Sequence, residues 1–123
     1  AKADDDAFLR LRELMQHPSI VALGEIGLDY HYDFSPREIQ QTVFIRQLEI
    51  AAEAGKPVVL HTREAWADTL ATLDAHWPKG RPGVFHCFTG APNEMRACVE
   101  RGFLLGIGGV VTFPRSEALR EAV

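Results

Sequence analysis

Short apolar runs alternate with helix-forming segments along the 123 residues of this chain, and three of the runs end in side chains of metal-ligand type. This order predicts an α/β fold of about four consecutive parallel β/α units, a partial (β/α)8 TIM barrel. Parallel strands need a covering crossover between them, and in such barrels the strand C-termini carry the functional side chains. The polar ends are Glu25 in Gly24-Glu25-Ile26-Gly27-Leu28-Asp29, His61 in Val58-Val59-Leu60-His61-Thr62-Arg63, and His86 in Val84-Phe85-His86-Cys87-Phe88.

Each element has a local reason. Asp6 can cap a first helix that carries Phe8, Leu9, Leu11, Leu14 and Met15. That helix should stop before His17-Pro18, because the residue preceding a proline avoids helical backbone. Ile20 to Leu23 then form a β-branched apolar run, with the strand expected to end at Glu25. Ser35-Pro36-Arg37-Glu38 combines a capping Ser, a Pro at the first helical position and a Glu that can close a capping box. This second helix should reach Ala54, with Gly55 as its left-handed terminator. Ile39, Val43, Leu48, Ala51 and Ala52 recur at spacings that form one apolar stripe. Val58-Val59-Leu60 is the next strand, followed by a helix over residues 64–76 that ends before Pro78. Val84-Phe85 is the third strand, and Pro92 opens a helix that Gly102 ends. Residues 103–111 read as a fourth, glycine-interrupted strand, and a last helix begins near Ser116.

An open doubly wound sheet with a nucleotide loop at Gly106-Ile107-Gly108-Gly109 is the competing architecture. It fails on its own pattern, since Val111 stands where the last glycine belongs and no helix opens directly afterwards. A closed barrel takes roughly 250 residues. The chain therefore reads as a single partial-barrel domain over residues 1–123, about half of the full circuit.

A hydrophobic content of 46% and a charged content of 24% are ordinary for a globular domain. The net charge of −4, from 13 basic and 17 acidic residues, argues against a module that holds nucleic acid by phosphate attraction alone. It leaves open an enzyme whose bound cations reverse the local field. No apolar run approaches the roughly 18 residues that span a membrane, and Ala1-Lys2-Ala3-Asp4-Asp5-Asp6 lacks the pattern of a signal peptide. Cys87 and Cys98 are too few for a disulfide framework, so a soluble, cytoplasmic domain is the expectation.

If Glu25, His61 and His86 end neighbouring strands, which lie about 4.8 Å apart, they can converge on one or two divalent cations. Imidazole and carboxylate suit Zn, Mn and related ions, and a carboxylate can bridge two metals. Such ions turn a bound water into hydroxide, which is hydrolytic chemistry. Each residue also has a structural reading: Glu25 can pair with Arg63, and a strand-end His can cap a helix. The three together favour the metal, because buried polar groups must each find a partner. Arg63 lies two residues past His61, on the same side of a strand. It can grip a phosphate bidentately or pair with Glu64 or Glu25. Asp29 is either a carboxylate that steadies a metal ligand or a turn residue. His17 and His76 sit at helix ends beside prolines, where His interacts with the helix dipole. Tyr30-His31-Tyr32 reads as a solvated loop or the rim of a substrate mouth. Cys87 and His86, adjacent on a strand, point to opposite faces and form no nucleophilic pair. Cys98 reads as a helix-face residue packed on the sheet.

On these residues the chain resembles the TatD-type metal-dependent hydrolases, a deoxyribonuclease family built on a (β/α)8 barrel. The matching stretches are Gly24-Glu25-Ile26-Gly27-Leu28-Asp29-Tyr30, Lys56-Pro57-Val58-Val59-Leu60-His61-Thr62-Arg63, His86-Cys87-Phe88-Thr89-Gly90 and Gly109-Val110-Val111-Thr112-Phe113. The resemblance implies Glu25, His61 and His86 as ligands of one or two divalent ions (Zn, Mg or Mn). It also implies phosphodiester hydrolysis through a metal-activated water, on DNA or another phosphodiester; Arg63, from its place beside His61 on the strand, is the expected substrate-binding residue. The family's His-x-His pair and its catalytic Asp in a Thr-Asp-x-Pro setting have no counterpart here, so no catalytic residue is assigned. The expectation is an internal part of the barrel, the fourth to seventh strand units, inactive or very weak alone. Its unpaired sheet edges would invite association. Two other functions compete: an amidohydrolase-type barrel acting on C–N or ester bonds, and a non-catalytic half-barrel that self-associates.

Overall fold

The computed structural model describes residues 3–123. Its strands are β1 (Leu23–Asp29), β2 (Val58–Arg63), β3 (Gly83–Phe85) and β4 (Leu104–Leu105). The helices are α1 (Asp5–Leu14), α2 (Arg37–Glu53), α3 (Trp66–His76), α4 (Pro92–Glu100) and α5 (Glu117–Ala122). The four strands form one sheet in chain order, and every neighbouring pair is parallel. This is the expected run of β/α units.

Burial alternation decides which face is covered. Leu23, Ile26 and Leu28 of β1, Val58 and Leu60 of β2, and Phe85 of β3 join Phe44, Leu48, Ile50 and Ala51 of α2, Leu73 of α3 and Cys98 of α4 in one core. The intervening positions, including Glu25, Asp29 and His61, are at least partly exposed and belong to the other face. The side chains that carry chemistry thus stand on the face the helices do not cover.

Several element boundaries differ from the sequence reading. Asp4, not Asp6, caps α1: it is extended, and its Oδ1 accepts the Ala7 N–H at 2.9 Å. Asp5 and Asp6 occupy the first turn instead, where negative charge suits the positive helix end. β1 starts at Leu23 and runs through Asp29, so Glu25 lies inside the strand rather than at its end. The alternating apolar set that earns burial is Leu23, Ile26 and Leu28, one step later than the Ile20–Leu23 run suggested. Ser35 does not cap α2; Pro36 holds that position without a side-chain bond, and the Ser35 carbonyl accepts from Gln40 Nε2 at 2.9 Å. The buried stripe of α2 is centred on Phe44 and Leu48, which leaves Ile39 44% exposed. β2 continues past Leu60 to Arg63, pairing Leu28 with Thr62 and Asp29 with Arg63. The fourth strand is only Leu104–Leu105, and a 3-10 turn, Gly109–Thr112, replaces the rest of it. Gly106, Gly108 and Gly109 leave too few side chains to hold that stretch in a ladder. Gly55 and Gly102 end their helices with φ of 68° and 83° as expected. Among the described residues no helix is long and apolar enough to cross a membrane.

Candidate metal centre

β1 and β2 run in register except between Leu23 and Ile26, where the pairing shifts across Gly24 and Glu25. Such an irregularity re-aims a side chain. Here it brings Glu25 Oε1 to 2.9 Å from His61 Nδ1 on β2. Gly27, the register partner of His61, makes the approach possible. Its φ is +142°, and a Cβ there would lie 1.9 Å from the His61 carbonyl oxygen. Only glycine lets the two backbones meet in this way.

The opposite nitrogen of the same ring is also held. His61 Nε2 lies 2.8 Å from Asp29 Oδ2, two residues beyond Gly27 on β1. The other oxygen, Oδ1, accepts the backbone N–H of His31 and of Tyr32, each at 3.0 Å. Asp29 thus closes the loop through two backbone N–H groups and also contacts the imidazole. Burial alone would push the Asp29 carboxyl up. The Tyr32 N–H, the His61 ring and the His31 N–H outweigh it and hold the carboxyl below its ordinary value. Gln40 completes the support, since its Oε1 accepts the Asp29 N–H at 2.9 Å and its Nε2 donates to the Asp29 carbonyl at 3.1 Å.

Not all the expected residues gather here. His86 follows the last residue of β3 and is exposed; its N–H donates to the Leu60 carbonyl at 2.8 Å and extends the β2–β3 ladder. The pairing of Leu60 with Phe85 places His86 one step on, beside His61 in the register. Among the described residues, however, no group of three or more His, Cys, Asp or Glu side chains could hold a metal ion. Arg63 is exposed and lies over the Tyr32 ring at 5.0 Å, paired with neither Glu25 nor Glu64. Glu64 meets His31 Nδ1 at 3.0 Å instead. Cys87 has φ of +50°, so the strand alternation used to separate it from His86 has already ended. Tyr30 is buried rather than solvated, its hydroxyl donating to Asp68 Oδ2 at 2.6 Å and accepting from Gln41 Nε2 at 2.7 Å.

A cleft of about 430 Å³ opens over this ground, lined by Glu25, Asp29, His61, Gln40 and Phe34. A larger one, of about 540 Å³, lies near the C-terminal ends of α3 and α4, lined in part by Leu73, Trp77, Phe103, Asp74 and Arg101. Asp74 and Arg101 satisfy each other there at 2.7 Å, so the smaller cleft is the chemical one. Gln40 and Phe34 were not legible in advance: a Gln on a helix face and a lone loop Phe carry no motif. Chemically, Glu25 and His61 present one oxygen and one nitrogen donor side by side, a pair that borderline divalent ions accept. The pair fits one edge of a metal shell, and the remaining donors must come from elsewhere.

Comparisons with known proteins agree with this chemistry. The family model described as TatD related DNase matches residues 1–123. A Bacillus subtilis (strain 168) protein named an uncharacterized metal-dependent hydrolase, YabD, is 40% identical over 113 residues, 92% of this chain and 44% of that protein. A Cronobacter turicensis protein named 3'-5' ssDNA/RNA exonuclease TatD is 47% identical over 109 residues, 88% of this chain and 41% of that protein. In the crystal structure of YJJV, a TatD homologue from Escherichia coli K12, the match has a TM-score of 0.89 and 32% identity, covering 98% of this chain and 47% of that one. The chain spans less than half the length of these relatives. It belongs to the TatD-related DNase family.

Proposed function

We propose that this chain forms part of a metal-dependent hydrolase that cleaves phosphodiester bonds in DNA, in the manner of an exonuclease. The observation that carries the reading is the 2.9 Å approach of Glu25 to His61 on neighbouring parallel strands. The relatives' names, a metal-dependent hydrolase and a single-strand exonuclease, supply the reaction class. In this reading Glu25, His61 and His86 are ligands of one or two divalent ions (Zn, Mg or Mn). Ions held there would supply a water nucleophile and offset negative charge on the leaving oxygen. Asp29 and Gln40 keep the imidazole in place, and Arg63 contacts a substrate phosphate. Two free cysteines and the lack of any membrane-spanning helix among the described residues favour a cytoplasmic setting.

The test is metal-dependent nuclease activity of the full-length protein after Glu25→Ala, His61→Ala or His86→Ala. Each substitution is expected to lower kcat by at least a hundredfold; full activity in all three would defeat the assignment. Hydrolysis of DNA ends against lactones and cyclic amides separates this reading from an amidohydrolase. A non-catalytic, self-associating half-barrel is favoured by one observation, the 71% exposure of Leu104 on the outer strand β4. It predicts a stable dimer in sedimentation and no metal affinity.

A further inference from the structure

The loop between β1 and α2 carries two aromatic rings that the core does not use. Tyr32 and Phe34 lie with centroids 5.2 Å apart and planes 4° from parallel, a stacked pair. Tyr32 is 54% exposed and Phe34 88% exposed. Single apolar side chains on a surface are ordinary; a stacked pair at the rim of a polar cleft is not. Phe34 lines the same cleft as Glu25, Asp29 and His61.

The loop is held in shape rather than loose. Asp29 accepts the N–H groups of His31 and Tyr32 at one end. At the other, Asp33 adopts a left-handed backbone, φ +46°, and its carboxylate takes both Nε and Nη2 of Arg37 on α2, at 3.2 and 3.1 Å. Asp is one of the few residues that tolerate this conformation, and it turns the chain between the two rings. Arg63 stands over Tyr32 at 5.0 Å, placing a cation beside the pair. A flat exposed ring with a neighbouring guanidinium is what unpaired bases stack on, since every base offers a π-face and every linkage a negative charge. A base inside a duplex is already stacked on both faces and cannot use such a surface.

We propose that Phe34, backed by Tyr32, is a stacking platform for an unpaired nucleobase beside the Glu25–His61 cleft, and that it makes the site prefer single strands. The proposal rests on the nuclease reading and adds the subsite that selects the substrate's form. It is tested with metal-loaded, full-length protein and a phosphorothioate oligothymidylate that resists cleavage, measured against an abasic strand of equal length and a duplex. Phe34→Ala is expected to weaken binding of the thymidylate strand about five- to a hundredfold, and to leave binding of the abasic strand unchanged. Phe34→Trp should restore the affinity, with indole fluorescence quenched on binding. Equal affinity of Phe34→Ala and the unsubstituted protein for the thymidylate strand would overturn the platform. So would an equal loss on the abasic strand, which would mean that Phe34 merely shapes the loop. If the unsubstituted protein binds none of the three probes, the nuclease reading itself falls and the platform with it.

Discussion

Asp29 shows how much one carboxylate can be asked to do. One oxygen closes the loop through two backbone N–H groups, and the other takes the far nitrogen of His61. In the proposed metal reading, a proton held on Nε2 by Asp29 would leave Nδ1, on the Glu25 side, free to meet a cation, so the carboxylate would choose the tautomer. Asp29→Asn keeps an oxygen for the loop and turns an amide toward Nε2, which reverses that choice with little change of shape. We expect it to weaken metal affinity about 10- to 100-fold, measured by competition with a chromophoric chelator. Unchanged affinity would show that Asp29 serves the loop only.

At the scale of elements, α3 and α4 are joined on the surface by Arg101, whose Nε and Nη2 donate to Asp74 at 2.7 Å each. Arg101 holds the Asp74 carboxyl below its ordinary value. A lowered folded pKa contributes stability that is present above the unfolded carboxylate pKa, about 3.9, and lost as pH falls through the folded value. Asp74 is half exposed, so solvent screening limits the pair to about 1 kcal/mol or less. Urea unfolding of Asp74→Asn should show that small deficit at pH 7, and the deficit should close in strong acid. A deficit that persists at low pH would point to packing instead. Elements are also where sequence reading succeeded best. Gly55, Gly102 and Pro92 mark helix ends because their backbone preferences act locally, whatever the fold. Ser35 carried an equally good local signal and failed, because Pro36 took the cap position and left Ser35 one residue outside it. His86 was placed correctly at a strand end by pattern alone, while His61 lies inside β2, two residues before its end. Their partners depend on register, and no local pattern reveals that Gly27 faces His61.

For the whole molecule, the core is sealed on the helix-covered face and open on the other. Cys98 sits inside that seal with no exposure, and burial pushes its thiol up to about 12. Cys87 lies on the exposed turn after β3. A thiol reagent at neutral pH should therefore modify one cysteine at once and the second only at the rate of unfolding, since the thiolate is the reactive form. Mass spectrometry before and after adding urea checks this. Rapid labelling of Cys98 in the native chain would mean that α4 opens independently of the sheet.

The shifted pairing at Gly24 and Glu25 bears on what length changes the chain can absorb. A loop such as the one preceding β1 can gain or lose a residue and redistribute the slack. Within β1, removing Gly24 would take out the irregularity that aims Glu25 and carry its carboxylate away from His61, while Ile26 and Leu28 stayed in the core. Insertions and deletions in this strand would thus be visible to selection through function well before they were visible through folding.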